Sequence, residues 1–370
     1  MKFTCSKEEL DRQLQHVSRI VTIRQSLPIL SNLLLETDGA FIRISGTDME
    51  LAVTTRVAAE VEQEGVFTVP AKIFQDFVHQ NPDGELTFKL EGVELVCSSA
   101  KVQARIGGID PEEYPELPKV PEEQRLAIPS EAFIDALKKV VIAAATDAAR
   151  PVLTGVFMRA ENDLLTIAAT DSFRLAERVI SSVPTPTAQE LLIPARTVQE
   201  LIRITAQLPE GTDIEILLGE NQIVFRLGGI ELYSRLLTGK FPQYRSLIPP
   251  AFVAEADVAT SEFIQSLRLA TIFSQSGVAN VLLELDAEGV FTVSSYGSQK
   301  GSAKHTLYAV LKEGSEPIRA AFNTRFLLDA VGATGTDFVK LKFSGTTSPF
   351  ILTTDDPQYF QLVMPIRLDS

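Results

Sequence analysis

The 370-residue sequence is poor in the residues that build disulfide frameworks and metal sites. It contains two cysteines, Cys5 and Cys97, and three histidines in unrelated sequence contexts. Two cysteines cannot form a disulfide framework, and so few histidines leave a structural zinc site short of ligands. We therefore expect both cysteines to be small core residues, and we expect neither a metal nor another cofactor.

Long apolar segments are also missing. The longest apolar runs, residues 27–35 and 140–145, are much shorter than the roughly 20 residues that a membrane-spanning helix needs. The first residues, from Met1 to Cys5, lack the apolar core of a secretory signal. The sequence thus predicts a cytoplasmic protein with no membrane segment.

Basic residues are outnumbered by acidic ones, 34 to 48, and the formal net charge is −14. With 45% hydrophobic and 22% charged residues, the composition is typical of a folded globular protein and excludes a disordered or collagen-like chain. The negative charge argues against a protein that coats DNA with a basic surface. A nucleic-acid function therefore requires that the acidic residues lie away from the nucleic acid.

The sequence contains a threefold repeat. Segments that begin at Val69, Ile193 and Phe322 share a strand-like residue, a Pro or Asn, a small residue, a base and then an amphipathic run. The three bases are Lys72, Arg196 and Arg325. Each of these segments predicts the start of a helix.

A second repeated pattern precedes these helices. Ser6, Ser130 and Ser261 are predicted N-caps of three further helices, because apolar residues follow each serine at helical spacing. Alternating apolar and polar residues between turns predict strands in the rest of each unit. Proline-containing linkers near residues 120 and 250 give three predicted domains: 1–120, 121–250 and 251–370.

No catalytic motif is present. The sequence lacks the phosphate-binding loop, the dinucleotide-binding glycine pattern and the metalloprotease helix. The acidic pairs Asp355-Asp356 and Glu112-Glu113 lie in proline-containing loops and are typical of solvated turns. We therefore expect no catalytic residues, and an enzyme with an active site between domains is only a minor alternative.

Several segments together resemble the beta sliding clamps of bacterial replicative DNA polymerases. The matching segments are residues 1–4, 26–30, 169–176, 241–245, 322–323 and 364–368. The resemblance implies an α+β fold of three repeated clamp domains, each with two helices packed on antiparallel sheets. It also implies a homodimeric ring of six domains, with helices around the hole and sheets at the rim, that acts as a non-catalytic processivity factor.

The ring accounts for the acidic composition. The Debye length is about 8 Å at physiological salt, so acidic residues on the rim are screened from DNA at the centre. A 120-residue domain has a radius of gyration of about 13.6 Å, and six such domains in a ring leave an opening about 35 Å wide. The residues that the resemblance implies as contacts with double-stranded DNA are Arg24, Lys72, Lys138, Lys139, Arg150 and Arg196.

The family also has a pocket that binds short linear peptides of the replicative polymerase catalytic subunit, the clamp loader, other polymerases and repair factors. By position, the resemblance assigns this pocket to Leu153, Thr170, Phe173, Arg174, Leu175, Pro242, Leu247, Val278, Asn323, Phe326, Ser348, Pro349, Val363, Met364, Pro365, Ile366, Arg367 and Leu368. It further implies a dimer interface that joins the first domain to the third, in which Ile106 packs on Ile272 and Phe273; the alternative is that these three are ordinary core residues. A peptide-binding scaffold that never encircles DNA is the main alternative function.

Some residues depart from the family pattern. Ser172-Phe173 stands where Gly-His is common, and Val278 stands where an aromatic residue can occur. Asp369-Ser370 extends the chain beyond the usual terminal Leu. These departures predict a pocket of altered shape and peptide affinity.

Overall fold

The structure is a computed structural model, and it describes residues 1–21, 27–117, 120–121, 125–128, 130–181, 188–273, 280–296 and 301–367. The chain forms two compact units. The first comprises Met1–Ser130 and Arg203–Leu236, and the second comprises Glu131–Ile202 and Leu237–Ser370. The boundaries that we placed near residues 120 and 250 stay a prediction.

The described residues form 25 strands and six α-helices. The strands are β1 (Lys2–Ser6), β2 (Asn32–Asp38), β3 (Phe41–Thr47), β4 (Leu51–Gln63), β5 (Val66–Pro70), β6 (Glu85–Glu91), β7 (Glu94–Ser98), β8 (Gln103–Gly107), β9 (Arg125–Ile128), β10 (Gly155–Glu161), β11 (Leu164–Thr170), β12 (Arg174–Ser181), β13 (Gln189–Pro194), β14 (Ile214–Leu218), β15 (Gln222–Leu227), β16 (Ile230–Arg235), β17 (Ala254–Ala259), β18 (Asn280–Leu285), β19 (Val290–Tyr296), β20 (Lys304–Tyr308), β21 (Val310–Leu311), β22 (Ile318–Asn323), β23 (Phe338–Phe343), β24 (Phe350–Thr353) and β25 (Tyr359–Val363). The helices are α1 (Lys7–Val17), α2 (Ala71–Gln80), α3 (Ser130–Val141), α4 (Ala195–Thr205), α5 (Thr260–Ile272) and α6 (Thr324–Gly332).

The first unit is built on one twelve-stranded antiparallel sheet. Its main path runs in the order β8-β7-β6-β1-β4-β16-β15-β14-β9, and β2, β3 and β5 attach to it through β4. Helix α1 buries Leu10, Leu14 and Val17 at the spacing that the sequence predicts, and α1 packs on α2 and β4. The Ser6 side chain accepts a hydrogen bond from the Glu9 amide, so the predicted N-cap is confirmed.

The second unit contains two antiparallel sheets. The nine-stranded sheet has the order β13-β10-β11-β12-β25-β24-β23-β17-β21, and the four-stranded sheet has the order β20-β19-β18-β22. Helices α5 and α6 pack against each other, and α5 buries Phe263, Leu267 and Ala270. Antiparallel sheets with packed helices confirm the predicted α+β class.

The predicted N-caps of the other helices have different outcomes. Asn323 caps α6, because its side chain accepts a hydrogen bond from the Arg325 amide at 2.9 Å. The prediction for Ser261 is wrong: α5 begins at Thr260, and Ala259 precedes it without a side-chain cap. The prediction for Ser130 is wrong as well, because helix α3 begins at Ser130 itself and this serine does not precede the helix.

Both cysteines are buried, which confirms their predicted place in the core. Burial raises the pKa of the Cys5 thiol and of the Cys97 thiol to about 12, so both stay protonated and unreactive at neutral pH. Among the described residues, no helix has the length and apolar character needed to cross a membrane.

Candidate functional site

A cavity of about 530 Å³ opens at the surface of the second unit. Four parts of the chain form it: residues 149–153, the turn between β11 and β12, residues 240–247, and Leu362 with Met364. Its surface is mainly apolar, which suits a ligand with apolar side chains. The lining residues are Ala149, Arg150, Pro151, Val152, Leu153, Thr170, Ser172, Arg174, Leu175, Lys240, Pro242, Tyr244, Leu247, Leu362 and Met364.

The turn between β11 and β12 is fixed by its own side chains. Thr170 Oγ1 donates to the Arg174 carbonyl at 2.6 Å and accepts from the Ser172 amide at 3.1 Å. Asp171 Oδ1 accepts from the amides of Phe173 and Arg174, both at 2.9 Å. Ser172 has a φ of 81°, in the left-handed region that the side-chain bonds of the turn stabilise. The turn leaves the Phe173 ring 61% exposed beside the cavity.

Arg174 ties this turn to helix α6. Its Nε donates to Asp171 at 3.0 Å, and its Nη1 donates to Asp329 at 2.6 Å. The guanidinium also lies 4.5 Å from the centre of the Phe326 ring. The side chain is only 10% exposed, so Arg174 serves as a rigid brace in the wall of the cavity.

Residues 240–247 form the opposite wall, and side chains rather than backbone ladders hold them. The Tyr244 hydroxyl donates to the buried carboxylate of Glu177, and Arg245 Nη2 donates to the same carboxylate at 3.2 Å. The rings of Phe157 and Phe241 stack with their centres 4.9 Å apart. Burial and the hydrogen bond to Glu177 raise the pKa of Tyr244, so its hydroxyl remains a donor at physiological pH.

The segment after β25 runs along two other elements. The Met364 amide donates to the Phe173 carbonyl at 2.8 Å, and the Ile366 amide donates to the Ala321 carbonyl at 2.7 Å. Because these bonds fix the backbone in an extended form, Met364 points into the cavity at its edge.

A second cavity of about 310 Å³ lies next to the first. Phe173, Arg325 and Phe326 line it, and Arg150 and Leu153 line both cavities. The two cavities together give an elongated surface on which a short extended peptide can lie.

The structure brings many of the predicted pocket residues together. Those that line the first cavity are Leu153, Thr170, Arg174, Leu175, Pro242, Leu247 and Met364. Phe173 and Phe326 line the second. Val363 is buried in the sheet, and Val278 and Leu368 lie outside the described residues. The predicted residues that line neither cavity also include Asn323, Ser348, Pro349, Pro365, Ile366 and Arg367.

Sequence reasoning missed several lining residues. Tyr244 and Leu362 form part of the cavity surface, and Lys240 and Arg150 are exposed cations beside it. Tyr244 lies within residues 241–245, one of the segments that carry the family resemblance, so the resemblance could have identified it. Leu362 is one residue before the predicted run that starts at Val363.

The predicted DNA contacts have different environments. Lys72, Lys138, Arg150 and Arg196 are exposed. Lys139 instead pairs with Asp135 at 2.8 Å and lies 5.4 Å from the centre of the Tyr359 ring, and its side chain is 17% exposed. Arg24 lies outside the described residues. The assignment of these residues to DNA stays a prediction.

The predicted interface residues lie near strands that end two of the sheets. Ile106 is buried on β8, which ends the twelve-stranded sheet. Ile272 is 70% exposed at the end of α5, and Phe273 follows it. Strand β20 ends the four-stranded sheet and carries Tyr308, which is 79% exposed. That Ile106 packs on Ile272 and Phe273 in a dimer stays a prediction.

The chain matches known proteins over nearly its whole length. It matches the DNA polymerase III beta subunit in three parts: the N-terminal domain over residues 1–118, the central domain over 127–243 and the C-terminal domain over 245–367. It is 33% identical to the beta sliding clamp of Synechococcus elongatus over 100% of both chains. It is 31% identical to that of Halalkalibacterium halodurans over 99% of this chain and 100% of the relative.

A solved structure gives the same result. The crystal structure of the DNA polymerase sliding clamp from Bacillus subtilis matches with a TM-score of 0.94 and 27% identity, over 100% of both chains. The family resemblance found in the sequence is thereby confirmed. The chain belongs to the DNA polymerase III beta subunit family, the bacterial sliding clamps.

Proposed function

We propose that two copies of this chain close into a ring around duplex DNA, and that the cavity of about 530 Å³ holds peptides of replication and repair proteins on that ring. The protein is then a non-catalytic sliding clamp that acts in the cytoplasm with the replicated chromosome. Its partners are the catalytic subunit of the replicative polymerase, the clamp loader, other polymerases and repair factors.

The cavity beside the Thr170 turn is the observation that carries the peptide-binding part of this proposal. Its apolar surface, between the turn and residues 240–247, suits Leu or Phe side chains of a short peptide. Backbone and hydroxyl groups at its edge, such as Thr170, supply the few polar contacts that fix the orientation of a ligand. The adjoining cavity lined by Phe173 and Phe326 extends the binding surface for a second apolar side chain.

The exposed bases support the DNA-binding part. Lys72, Lys138 and Arg196 lie on helices, where their side chains reach solvent. Contacts between such side chains and phosphates are weak and independent of sequence, so DNA slides while the closed ring retains it. Lys139 fits this role less well, because Asp135 and the Tyr359 ring already occupy its ammonium group.

The dimer is proposed to form between sheet edges. Within the part of the chain that the structure describes, strands β8 and β20 each end a sheet and present backbone groups without a strand partner, which a second copy can satisfy by antiparallel pairing. The exposed side chains of Ile272 and Tyr308 add apolar surface near one of these edges. The scaffold alternative needs the peptide cavity but does not need this closure.

Retention on DNA tests the proposed function. The protein, together with a bacterial clamp loader and ATP, is assembled on a nicked circular plasmid and separated from free protein by gel filtration. We expect it to co-elute with the circle and to be released when a restriction enzyme cuts the plasmid once. Equal loss from intact and cut plasmid, with retained peptide binding, supports the scaffold and contradicts the clamp.

A further inference from the structure

We propose that Glu177 is a positioning residue: its buried carboxylate latches Tyr244 and Arg245 and thereby holds the 240–247 wall of the peptide cavity ready for binding. Glu177 does not line the cavity itself. This inference rests on the proposed peptide-binding function.

Position and burial favour a latch. Glu177 lies on β12, and its side chain is 7% exposed, whereas the side chain of Arg245 is 67% exposed. A buried carboxylate needs hydrogen-bond donors, and the Tyr244 hydroxyl and Arg245 Nη2 supply them. The two donors come from the wall segment, so the requirement of the carboxylate fixes that segment on the sheet.

The backbone of the wall has little support of its own. The Leu237 amide donates to the Leu192 carbonyl at 2.8 Å, and the next backbone bond in the described chain is from the Leu247 amide to the Tyr244 carbonyl at 2.9 Å. Gly239, with a φ of 128°, lies at the start of the segment, in a conformation that other residues rarely adopt. The segment between these bonds therefore depends on side-chain contacts for its position.

Tyr244 transmits the constraint to the cavity. Its ring lines the cavity and packs in a buried cluster with Leu175 and Leu362, which line the same cavity. The ring of Phe241 meets it edge-on, with centres 5.8 Å apart. Pro242 and Leu247 flank Tyr244 on the same wall, so displacement of the Tyr244 ring changes the shape of the cavity.

The first unit provides an internal comparison. Its Thr47 turn has the same hydrogen bonds as the Thr170 turn, and Thr54 holds the position on β4 that Glu177 holds on β12. Residues 105–114 and 235–244 close the first two repeats, and both segments end in a tyrosine. Tyr114 of the first repeat donates to the Ser45 carbonyl at 3.2 Å, whereas Tyr244 donates to a carboxylate. The cavity beside the Thr47 turn is only about 240 Å³. Of these two turns, the one with the carboxylate latch thus has the larger cavity beside it.

A latch that pre-forms the cavity acts on association. If the wall is ordered in only a fraction of the molecules, the observed association rate is the full rate multiplied by that fraction. The dissociation rate of the bound peptide then changes little. If Glu177 has a purely structural role, its removal lowers overall stability but leaves both the association rate and the dissociation rate of the peptide unchanged.

Peptide-binding kinetics of the full-length protein test the proposal. The probe is a short fluorescent peptide with one Gln followed by Leu and Phe residues. We expect Glu177→Leu and Tyr244→Phe each to slow association about tenfold, with dissociation rates within about twofold of the wild type. Glu177→Gln keeps a carbonyl acceptor for Tyr244 and is expected to retain most of the wild-type association rate. Glu284→Leu, on β18, is the matched control. Unchanged association in Glu177→Leu, or an equal slowing in Glu284→Leu, overturns the latch.

Hydrogen exchange separates this proposal from the proposed function. We expect the backbone amides of residues 238–247 to exchange at least about tenfold faster in Glu177→Leu than in the wild type, with other segments unchanged. This readout needs no peptide. If the wild type binds no peptide but the exchange difference is present, the peptide function fails and the constraint on the wall stands; unchanged exchange overturns the latch.

Discussion

The guanidinium of Arg174 lies 4.5 Å from the centre of the Phe326 ring, while its nitrogens donate to carboxylates on both sides. One side chain thus connects the turn after β11 with helix α6 by stacking and by two ion pairs. The side of the proposed peptide cavity that the Thr170 turn forms is in this way fixed to a helix that lies far away in sequence. Lysine cannot reproduce this geometry, because its ammonium lacks the planar fork that lies against a ring and at the same time donates to two carboxylates.

The Arg174 brace gives the first prediction. We expect Arg174→Lys to lower the free energy of unfolding by about 2 kcal/mol, because a single lysine ammonium cannot keep both Asp171 and Asp329 paired at a largely buried site. Urea unfolding measures this change. Arg159→Lys, at an ion pair about half exposed, is the control and changes stability by less than about 0.5 kcal/mol. Equal effects of the two variants contradict the brace.

Met364 tests the peptide cavity itself. We expect Met364→Ala to weaken binding of the Gln-Leu-Phe type peptide about tenfold, because a side chain that lines the cavity is lost. Titration by fluorescence anisotropy measures the affinity. Met49→Ala is the matched control, since Met49 is exposed beside the counterpart turn of the first unit. Unchanged affinity in Met364→Ala shows that the peptide binds elsewhere.

Two neighbouring lysines of α3 differ in their expected contribution to DNA binding. We expect Lys138→Glu to weaken salt-dependent DNA association more than Lys139→Glu does, since Lys138 is exposed and Lys139 pairs with Asp135. Removal of one phosphate contact lowers the slope of log affinity against log salt by about one. The measurement is that slope for each variant on duplex DNA. A larger loss for Lys139→Glu refutes this ranking.

The pH dependence of stability tests the ion pairs that Glu255 makes with Lys312 and Lys342. The hydrogen bond from Lys312 and the charge of Lys342 lower the pKa of the Glu255 carboxyl below its ordinary value of 4.5. A carboxyl with a lowered pKa in the folded state contributes stability above its unfolded pKa, and this contribution disappears as the pH falls through the folded pKa. We therefore expect Glu255→Gln to be less stable than the wild type at pH 7 and to lose less stability between about pH 5 and 3.

The matched control is Glu313→Gln, at an exposed position close to the same strands. Urea unfolding at several pH values gives the slope for each protein. If Glu255→Gln loses as much stability on acidification as the wild type, the ion pairs of Glu255 contribute nothing to acid sensitivity.

Features that depend on neighbouring residues could be predicted from the sequence. The capping bonds of Ser6 and Asn323 follow from local hydrogen bonding, and the periodicity of α1 follows from its buried face. Ser261 was misplaced by local reasoning because a serine inside the first turn of a helix has the same sequence signature as one that precedes it.

Contacts between distant residues could not be predicted in this way. Glu177 and Tyr244 are 67 residues apart, and no periodicity indicates that a glutamate on a strand faces a tyrosine of a linker. The same holds for Arg174 and Asp329. The family resemblance supplied the general place of the pocket, but only the folded chain shows which side chains form its walls.

The central claim is that two copies of the chain close into a ring with an open centre. Electron micrographs of negatively stained particles, at a concentration where sedimentation gives twice the 40.5 kDa chain mass, test it most directly. We predict annular particles with an opening about 35 Å wide, as expected for six domains of this size. Compact particles without an opening, or monomers at micromolar concentration, contradict the account.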